Sequence, residues 1–280
     1  MKKICILVIA SRNKDINQVT KYGRYGMYDQ YVELFWVPII QKLKHIEHID
    51  CFLLYNLEKE VKGWNIYEQY LKHNILFQQS LEREKIISIV PGILSKQLYA
   101  FQLLCNKYDV FWNCNLSSIP HIERLDEYIQ KYNINYSGHH IFYQEVKTHL
   151  HMYKRSSEVL SLLKQWPGRT FLGGSGFFLN KDEVKYIVSM LYNIKHSDIF
   201  YILNDLAIGL IMPNKTKNEY FLKSKQLKTK RIKITNSMTY YEYNKILQQF
   251  KLYNDILDIR FEYINNEAVL KTVSQILYGN

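Results

Sequence analysis

Two apolar runs separated by a helical pattern open the chain. Ile4 to Ala10 is continuously apolar and rich in β-branched residues, which predicts a strand covered on both faces. Apolar positions recur at helical spacing from Tyr31 to Ile46, and Pro38 is expected to kink or shorten that helix. Asp50 to Tyr55 predicts a second strand. This β-α-β order is typical of an α/β sheet with parallel strands.

The pattern continues with a strand, a helix and a further strand that ends in polar residues. Ile86 to Val90 is predicted as a strand, and Ser95 to Lys107 as a helix with its apolar residues on one face. Val110 to Trp112 is the next apolar run, and the polar cluster Asn113 to Ser118 follows it directly. Ligands of open α/β sheets bind beyond the carboxyl ends of strands, so we expect chemistry at this cluster.

The remaining elements are predicted from shorter signals. An Asn-x-x-Glu capping box at Asn180 and Glu183 opens a helix that extends to about Tyr192. Asn204 and Asp205 supply amide and acidic caps for another helix start. Four further segments are assigned from their apolar spacing: a helix near Tyr67 to His73, a helix from His121 to Tyr132, a strand from Tyr136 to Phe142 and an extended run from Arg169 to Leu179. The sequence shows no repeat and no low-complexity segment, so one domain is expected.

Composition argues against a disordered or membrane-spanning chain. The 280 residues are 47% hydrophobic and include only 5 Pro and 11 Gly, so a full core and few linkers are expected. No apolar stretch approaches the roughly 18 residues needed to cross a bilayer. The seven apolar residues after Lys2 and Lys3 are predicted to form the first strand rather than the core of a secretory signal.

The four cysteines are too far apart in sequence for a paired site. Cys5, Cys51, Cys105 and Cys114 form no C-x-x-C pair, so neither zinc-ligand spacing nor a disulfide framework is visible. A reduced, cytoplasmic setting is therefore expected.

Two histidine pairs invite a metal interpretation that their spacing does not favour. His139 and His140 are adjacent on a predicted strand and would point to opposite faces. His149 and His151 could share a face, but no carboxylates stand at matching spacing. Zinc is therefore not expected.

The formal net charge of +11 predicts attraction to anions without saying which anions. One dense basic run contains Lys223, Lys225, Lys228, Lys230, Arg231 and Lys233. It is either a solvated loop or edge strand, or a segment that faces a phosphate group. The charge also allows a nucleic-acid-binding module, although the sequence contains no recognisable RNA or DNA motif.

Four segments, taken in order, carry a family resemblance. They are Ser95-Lys96-Gln97-Leu98-Tyr99-Ala100-Phe101, Asn113-Cys114-Asn115-Leu116-Ser117-Ser118, Gly173-Gly174-Ser175-Gly176-Phe177 and Asn204-Asp205-Leu206-Ala207-Ile208-Gly209. In order and spacing, residues 90–212 resemble nucleotide-sugar glycosyltransferases of the GT-A fold. The resemblance implies an α/β, GT-A-like fold with a Rossmann-type mixed sheet flanked by helices in a single domain. It also implies a nucleotide-sugar-binding half over about residues 1–118 and an acceptor-binding half over about residues 119–280.

Such enzymes hold a divalent metal with an Asp-x-Asp motif at a strand end, and Asn113-Cys114-Asn115 occupies that place here. Mg²⁺ and Mn²⁺ prefer anionic oxygen ligands, so a metal held by a neutral amide such as Asn115 would bind weakly or be dispensable. The two amides could instead donate hydrogen bonds to the ribose and phosphate of the donor. Alternatively, they only cap the turn after the strand.

Without a metal, the donor diphosphate needs cationic groups, and Lys96, Arg231 and Lys233 are the candidates. Lys96 lies near the start of a predicted helix, where the dipole and N–H groups already favour phosphate. A lysine at a helix surface is, however, often only solvated. The segment Ala10-Ser11-Arg12 follows the first strand and is expected to contact the base and ribose of the donor, or to be an ordinary polar loop.

The glycine-rich segment and Asp205 complete the candidate site. Gly173, Gly174 and Ser175 match neither nucleotide-binding fingerprint, but in the resembled family this stretch lies beside the transferred sugar. A β-bulge without a ligand role is the alternative. Asp205 stands where the family places its general base, which takes the proton of the acceptor hydroxyl and implies inversion. An aspartate at a helix start is also a common cap.

Together, these residues predict an enzyme: a glycosyltransferase that moves a sugar from a UDP- or other NDP-sugar donor to the hydroxyl of a glycan or other acceptor. Because the metal carboxylates are missing, a sugar-nucleotide-binding protein without catalysis stays open as a second class. Nucleic acid is the least favoured partner.

Overall fold

A six-stranded mixed sheet forms the centre of the protein. In the computed structural model, the described residues are 1–12, 27–79, 93–138, 141–143, 170–172, 176–193, 204–212, 230–235, 237–252, 256–262, 264 and 266–279. The strands in chain order are β1 (Ile4–Ile9), β2 (Ile49–Tyr55), β3 (Ile75–Phe77), β4 (Val110–Asn115), β5 (Ser118–Pro120), β6 (Ser137–Gly138), β7 (Ile141–Tyr143), β8 (Thr170–Leu172), β9 (Phe177–Asn180), β10 (Lys230–Thr235) and β11 (Ile256–Glu262).

The main sheet has the strand order β3-β2-β1-β4-β9-β6. β3, β2, β1 and β4 run parallel to their neighbours, whereas β9 runs antiparallel to both β4 and β6. The predicted α/β class, with a Rossmann-type mixed sheet flanked by helices, is therefore confirmed.

β1 is the central strand, and its sequence explains its position. All six of its residues are buried, as a continuously apolar strand in a parallel sheet should be. Successive side chains point to opposite faces, so Ile4, Ile6 and Val8 join one apolar cluster while Cys5 and Leu7 join a second. Each face of the sheet thus has its own core.

Nine α-helices surround the sheets in the described part of the chain. They are α1 (Tyr28–Tyr31), α2 (Val37–Leu43), α3 (Glu58–Val61), α4 (Ile93–Leu104), α5 (Ile122–Lys131), α6 (Lys181–Asn193), α7 (Asn204–Ile211), α8 (Tyr240–Leu252) and α9 (Glu267–Tyr278). Apolar residues of α4, α6 and α7 pack on the face that carries Cys5 and Leu7, here called the α4 face. Those of α2, α5, α8 and α9 pack on the opposite face.

A π-helical turn, Val32–Trp36, joins α1 to α2. Pro38, which has no N–H to donate, is the second residue of α2 and lies directly after the π-helical turn. The helix predicted around Tyr31 to Ile46 is thus present, but its hydrogen-bonding pattern changes just before the proline. The helix predicted near Tyr67 to His73 is a π-helical turn, Tyr67–Leu71, followed by a 3₁₀ turn, Lys72–Asn74.

A second sheet has the order β10-β11-β5, with β10 parallel and β5 antiparallel to β11. β5 begins three residues after β4 ends, so this sheet lies directly downstream of the polar strand end. A third sheet is the antiparallel pair of β7 and β8.

Two strand predictions need correction. The segment predicted as one strand from Tyr136 to Phe142 contains two short strands in different sheets, β6 and β7. The extended run from Arg169 to Leu179 likewise divides into β8 and β9, which belong to different sheets. Local spacing could not reveal this because strand pairing depends on partners that are distant in sequence. The predicted strand Ile86 to Val90 lies outside the described residues.

All four cysteines are buried and form no disulfide. Burial raises the pKa of the Cys5 thiol well above its usual value, and the pKa of Cys51 is raised for the same reason. These thiols therefore stay neutral and act as core residues. In the described residues, no helix is both long and apolar enough to span a membrane.

Candidate functional site

The sheet has a topological switch point between β1 and β4. From β1 the chain builds outward through β2 and β3 on one side, and it returns to the other side of β1 as β4. Ile9 pairs with Asn115 in the parallel register, so the segments that follow both strands leave the sheet side by side. A crevice forms at such a point in open α/β sheets, and ligands bind there. The structure thus brings the predicted segment Ala10-Ser11-Arg12 beside the end of Asn113-Cys114-Asn115.

Ala10 and Ser11 form a buried end to β1. Ala10 is 1% exposed and Ser11 3% exposed, and the Ala10 amide donates to the Leu54 carbonyl at 3.1 Å. The loop after β1 therefore starts in register with the end of β2. The backbone of this segment, rather than long side chains, borders the switch point.

Arg12 is held by three neighbouring groups on its own side of the site. Its Nε donates to Asp29 Oδ1 at 2.8 Å, and its Nη1 donates to the Glu60 carbonyl at 3.3 Å. The guanidinium carbon lies 3.9 Å from the centre of the Trp64 ring, which is cation–π geometry. In this arrangement Arg12 ties the loop after β1 to the segments around α1 and α3. A donor contact from Arg12 stays a prediction.

Lys96 lies beneath the switch point rather than on the surface of α4. Its side chain is among the largest fully buried ones, at 1% exposure, and its Nζ donates to the Ala10 carbonyl oxygen at 2.9 Å. A buried ammonium group favours nearby negative charge strongly, because little water screens it. The alternative of a solvated helix-surface lysine does not describe this side chain.

The three residues at the end of β4 face two directions. Asn113 is 1% exposed and Asn115 is partly exposed, and strand alternation places both on the α4 face. Cys114 points the opposite way into the other apolar cluster, which also contains Trp112. Of the three predicted donor contacts at this strand end, only the two amides therefore lie on the same face as Lys96.

Asn113 is unusual because its side-chain amide is buried and makes no hydrogen bond to the described residues. Among the described residues, neither Asn113 Oδ1 nor Nδ2 has a hydrogen-bond partner. Such an amide costs about 1–3 kcal/mol relative to a satisfied one. The cap of the turn after the strand, which was the alternative role for this amide, would have used one of these atoms.

The residues at the strand end do not fit a divalent-metal site. Asn113 and Asn115 offer only neutral carbonyl oxygens, and Mg²⁺ and Mn²⁺ prefer carboxylates. In the part of the chain that the structure describes, no group of three or more His, Cys, Asp or Glu residues could hold a metal ion. The histidines 139, 140, 149 and 151 lie outside that part.

α7 places Asp205 at its second position, next to a buried amide pair. The Asn204 Nδ2 donates to Gln97 Oε1 at 2.9 Å, and this bond joins the first turn of α7 to α4. Asn204 is 8% exposed and Gln97 is fully buried, whereas Asp205 is partly exposed. Asp205 Oδ1 accepts from the Leu206 amide at 2.9 Å. This bond is compatible with both the cap and the base role of Asp205.

The start of β9 borders the same edge of the sheet. Phe177 pairs with Asn113 on one side and with Gly138 on the other. Gly176, immediately before it, has φ of +144°, a conformation that favours glycine. The predicted sugar contacts Gly173, Gly174 and Ser175 lie outside the described residues, so their role stays a prediction.

Arg231 and Lys233 lie on β10, at the edge of the second sheet. β11 separates this strand from β5, and the register pairs Arg231 with Asp258 and Lys233 with Arg260. The backbone of this part of the basic run therefore forms an edge strand, as one of the two alternatives predicted. The side chains of both residues lie outside the described part, so their diphosphate contact stays a prediction.

Sequence reasoning missed the roles of Gln97 and Asn204. Both fall inside the segments that carry the family resemblance, but Gln97 was not singled out and Asn204 was predicted only as a helix cap. The available signal was a polar residue at an apolar position: Gln97 lies on the same helical face as Leu94 and Phe101, both of which are buried. A buried amide there requires a partner, and a second amide 107 residues away supplies it.

Comparison with known proteins identifies no family for this chain. No protein-family model matches the chain, and no curated protein matches it. Among solved structures, it is similar to a protein from Bacillus anthracis described as a glucose-1-phosphate thymidylyltransferase in complex with sucrose. The identity is 13%, the match covers 79% of this chain and 83% of that one, and the TM-score is 0.37. The likeness is too low to identify a function.

Proposed function

We propose that the chain is a glycosyltransferase that moves a sugar from a UDP- or other NDP-sugar to an acceptor hydroxyl. One observation carries the proposal: the buried Lys96 ammonium bonds to Ala10 at the switch point between β1 and β4. A nucleotide diphosphate is an anion that suits a crevice with a buried cation beneath it. The segments before residue 119 would bind the donor, and the later ones would bind the acceptor.

The donor half of the reaction needs stabilisation of a leaving group. When the bond between the anomeric carbon and the diphosphate oxygen breaks, the electron pair stays on that oxygen and negative charge develops there. Lys96 lies where its field would favour that charge, and Asn113 and Asn115 can donate hydrogen bonds to oxygen atoms. Donors already fixed in place stabilise charge without reorganisation, which is the usual origin of such rate enhancement.

The acceptor half needs a base. As the acceptor oxygen forms its bond to the anomeric carbon, Asp205 would take the hydroxyl proton. An aspartate has a reference pKa of about 3.9, so it is ionised at neutral pH and suits proton transfer late in the displacement. Attack from the side opposite the diphosphate inverts the anomeric configuration.

A hydrolysis screen tests the proposal directly. The purified chain is incubated with UDP-glucose, UDP-galactose, UDP-N-acetylglucosamine or GDP-mannose, with and without EDTA, and release of the nucleoside diphosphate is followed. We expect turnover of at least one donor, with a rate that EDTA does not change. Strict dependence on Mn²⁺ would show that the metal ligands lie elsewhere in the chain.

The fully buried, unsatisfied Asn113 also favours a second candidate, a sugar-nucleotide-binding protein without catalysis. A closed pocket around this amide would bind a nucleotide tightly but hold no reacting water. Tight binding of UDP in a calorimeter, together with no release from any of the four donors in the presence of any acceptor tested, would favour this candidate over the enzyme.

A further inference from the structure

α4 makes two consecutive long-range hydrogen bonds from Lys96 and Gln97. Lys96 Nζ bonds to the Ala10 carbonyl at the end of β1, and Gln97 Oε1 accepts from Asn204 at the start of α7. Both bonds measure 2.9 Å, and both side chains are at most 1% exposed. One turn of α4 therefore connects the donor end of the sheet with the helix that carries Asp205.

The surroundings of the amide pair are apolar. The neighbouring residues on α4 and α7, including Ala100, Phe101, Leu206 and Ala207, belong to the apolar cluster of the α4 face. In such surroundings, two apolar side chains of similar size would pack with no polar group to satisfy. Gln97 Nε2 also lacks a partner among the described residues, so the pair is not optimised for stability alone.

A hydrogen bond adds direction, which apolar packing does not. Because Asn204 precedes Asp205, fixing the Asn204 side chain fixes the backbone from which the Asp205 carboxylate projects. Lys96 precedes Gln97 on α4, so the bond to Gln97 also fixes the Asp205 carboxylate relative to Lys96. Well-supported placement of reacting groups is worth large rate factors, since small displacements weaken catalysis strongly.

We propose that Gln97 is a positioning residue, which through Asn204 holds the Asp205 carboxylate at a set distance from the donor end of β1. This rests on the proposed function, because it takes Asp205 as the base. Gln97 itself contacts neither donor nor acceptor in this role. The pair also links the donor-binding and acceptor-binding parts of the chain, so that both depend on one turn of α4.

The test uses Gln97→Met, which keeps the length of the side chain and removes its hydrogen bond. Turnover is measured with whichever of the four sugar nucleotides hydrolyses fastest. We expect kcat to fall about tenfold while KM for that donor changes little, because positioning affects the reacting geometry more than donor binding. Gln102→Met, the same change at an exposed position of α4, is the control and should leave kcat unchanged.

Two further variants separate positioning from a general loss of structure. Asn204→Leu removes the other partner and should lower kcat as much as Gln97→Met does, and the double variant should lower it no further. Circular dichroism and thermal unfolding establish that each variant is folded.

The decisive comparison is made in the Asp205→Asn background. If Gln97 acts through the base, adding Gln97→Met to Asp205→Asn should produce no further loss of kcat. A further tenfold loss in that background, or an unchanged kcat in Gln97→Met alone, would overturn the inference. Normal turnover by Asp205→Asn itself would instead overturn the proposed base, which is a distinguishable failure.

Discussion

Lys96 Nζ lies 2.9 Å from the carbonyl oxygen of Ala10, although 86 residues separate them in sequence. This bond fixes a cation at the carboxyl ends of β1 and β4. The relationship makes Lys96 part of the sheet edge instead of the helix surface.

Lys96→Met retains the aliphatic length of the side chain but removes the ammonium group. If the cation stabilises the departing diphosphate, the rate of donor hydrolysis should fall about a hundredfold. Steady-state release of the nucleoside diphosphate measures the effect. The same change at exposed Lys107, just beyond α4, serves as the control. Equal rates for the two variants would remove Lys96 from the chemistry.

Asn113→Leu replaces a buried, unsatisfied amide by an apolar group of similar size. The free energy of unfolding should rise by about 1 kcal/mol, since an unsatisfied polar group leaves the core. Binding of UDP should weaken in calorimetry if the amide serves the donor. Asn106→Leu, at an exposed position, should change neither quantity. A less stable variant that binds UDP normally would assign Asn113 a structural role.

Asp205→Asn keeps the shape of the side chain and abolishes its basicity. We expect transfer to fall about a thousandfold, within the usual range for removal of a general base. UDP binding should survive, because the acceptor side rather than the donor side is changed. Asp182→Asn is a matched control, since Asp182 is likewise the second residue of its helix, α6. Near-normal transfer by Asp205→Asn would leave the residue with a capping role only.

Gly176→Ala places a side chain at a φ of +144°, directly before β9. Strain at such a position should lower the free energy of unfolding by about 1–3 kcal/mol. Gly63 has φ of +79°, and a Cβ added there would meet nothing within 4 Å. Gly63→Ala should therefore lose less, about 1 kcal/mol. Urea unfolding of both variants gives the comparison, and equal losses would mean that the backbone at Gly176 relaxes.

Glu183 gives the protein a predictable pH dependence. Burial, together with the nearby Asp182 carboxylate, raises the pKa of Glu183 to about 7 despite its hydrogen bond from the Asn180 amide. The folded state therefore holds a proton that the unfolded state releases at lower pH. The contribution of this group to stability is fully present below the unfolded pKa and is lost as pH rises towards 7.

Glu183→Gln removes that titration and keeps a capping-box side chain. Thermal and urea unfolding of both proteins is measured between about pH 4 and pH 8. Their free energies of unfolding should converge at the acidic end of this range, near the pKa of the carboxyl in the unfolded chain. At pH 8 the variant should be more stable by about 1 kcal/mol, a value reduced by the partial solvent exposure of the carboxyl. A constant difference across this range would contradict the raised pKa.

The sequence was sufficient for the elements whose local pattern determines them. β1, β2 and β4 could be predicted because short, continuous apolar runs are typical of buried strands. α6 could be predicted because the Asn180–Glu183 capping box forms as expected, with Asn180 Oδ1 accepting from the Glu183 amide at 3.0 Å. Partner choice among strands was not predictable. The residues of β6 and β7 lie close in sequence yet pair in different sheets, since pairing depends on distant strands.

The candidate site was predictable in position and less so in detail. The polar strand end at Asn113 follows from the rule for open sheets, and the structure places Ala10 beside it. The burial of Lys96, the inward direction of Cys114 and the Gln97–Asn204 bond all depend on how α4 and α7 pack over the sheet. Those contacts join residues far apart in sequence, and local spacing carries no signal for them.

β9 runs against the four parallel strands, so it meets the ligand edge with its first residue, Phe177. β1, β2 and β4 end at this edge of the sheet, whereas β9 begins there. Pairing with Asn113 and Gly138 fixes the register of Phe177 independently of the length of chain that precedes Gly176. Insertions or deletions upstream of Gly176 can therefore leave the paired ends of β4, β6 and β9 in place. Under the proposed function, changes in that segment would alter acceptor preference and leave the donor end of β1 and β4 unchanged.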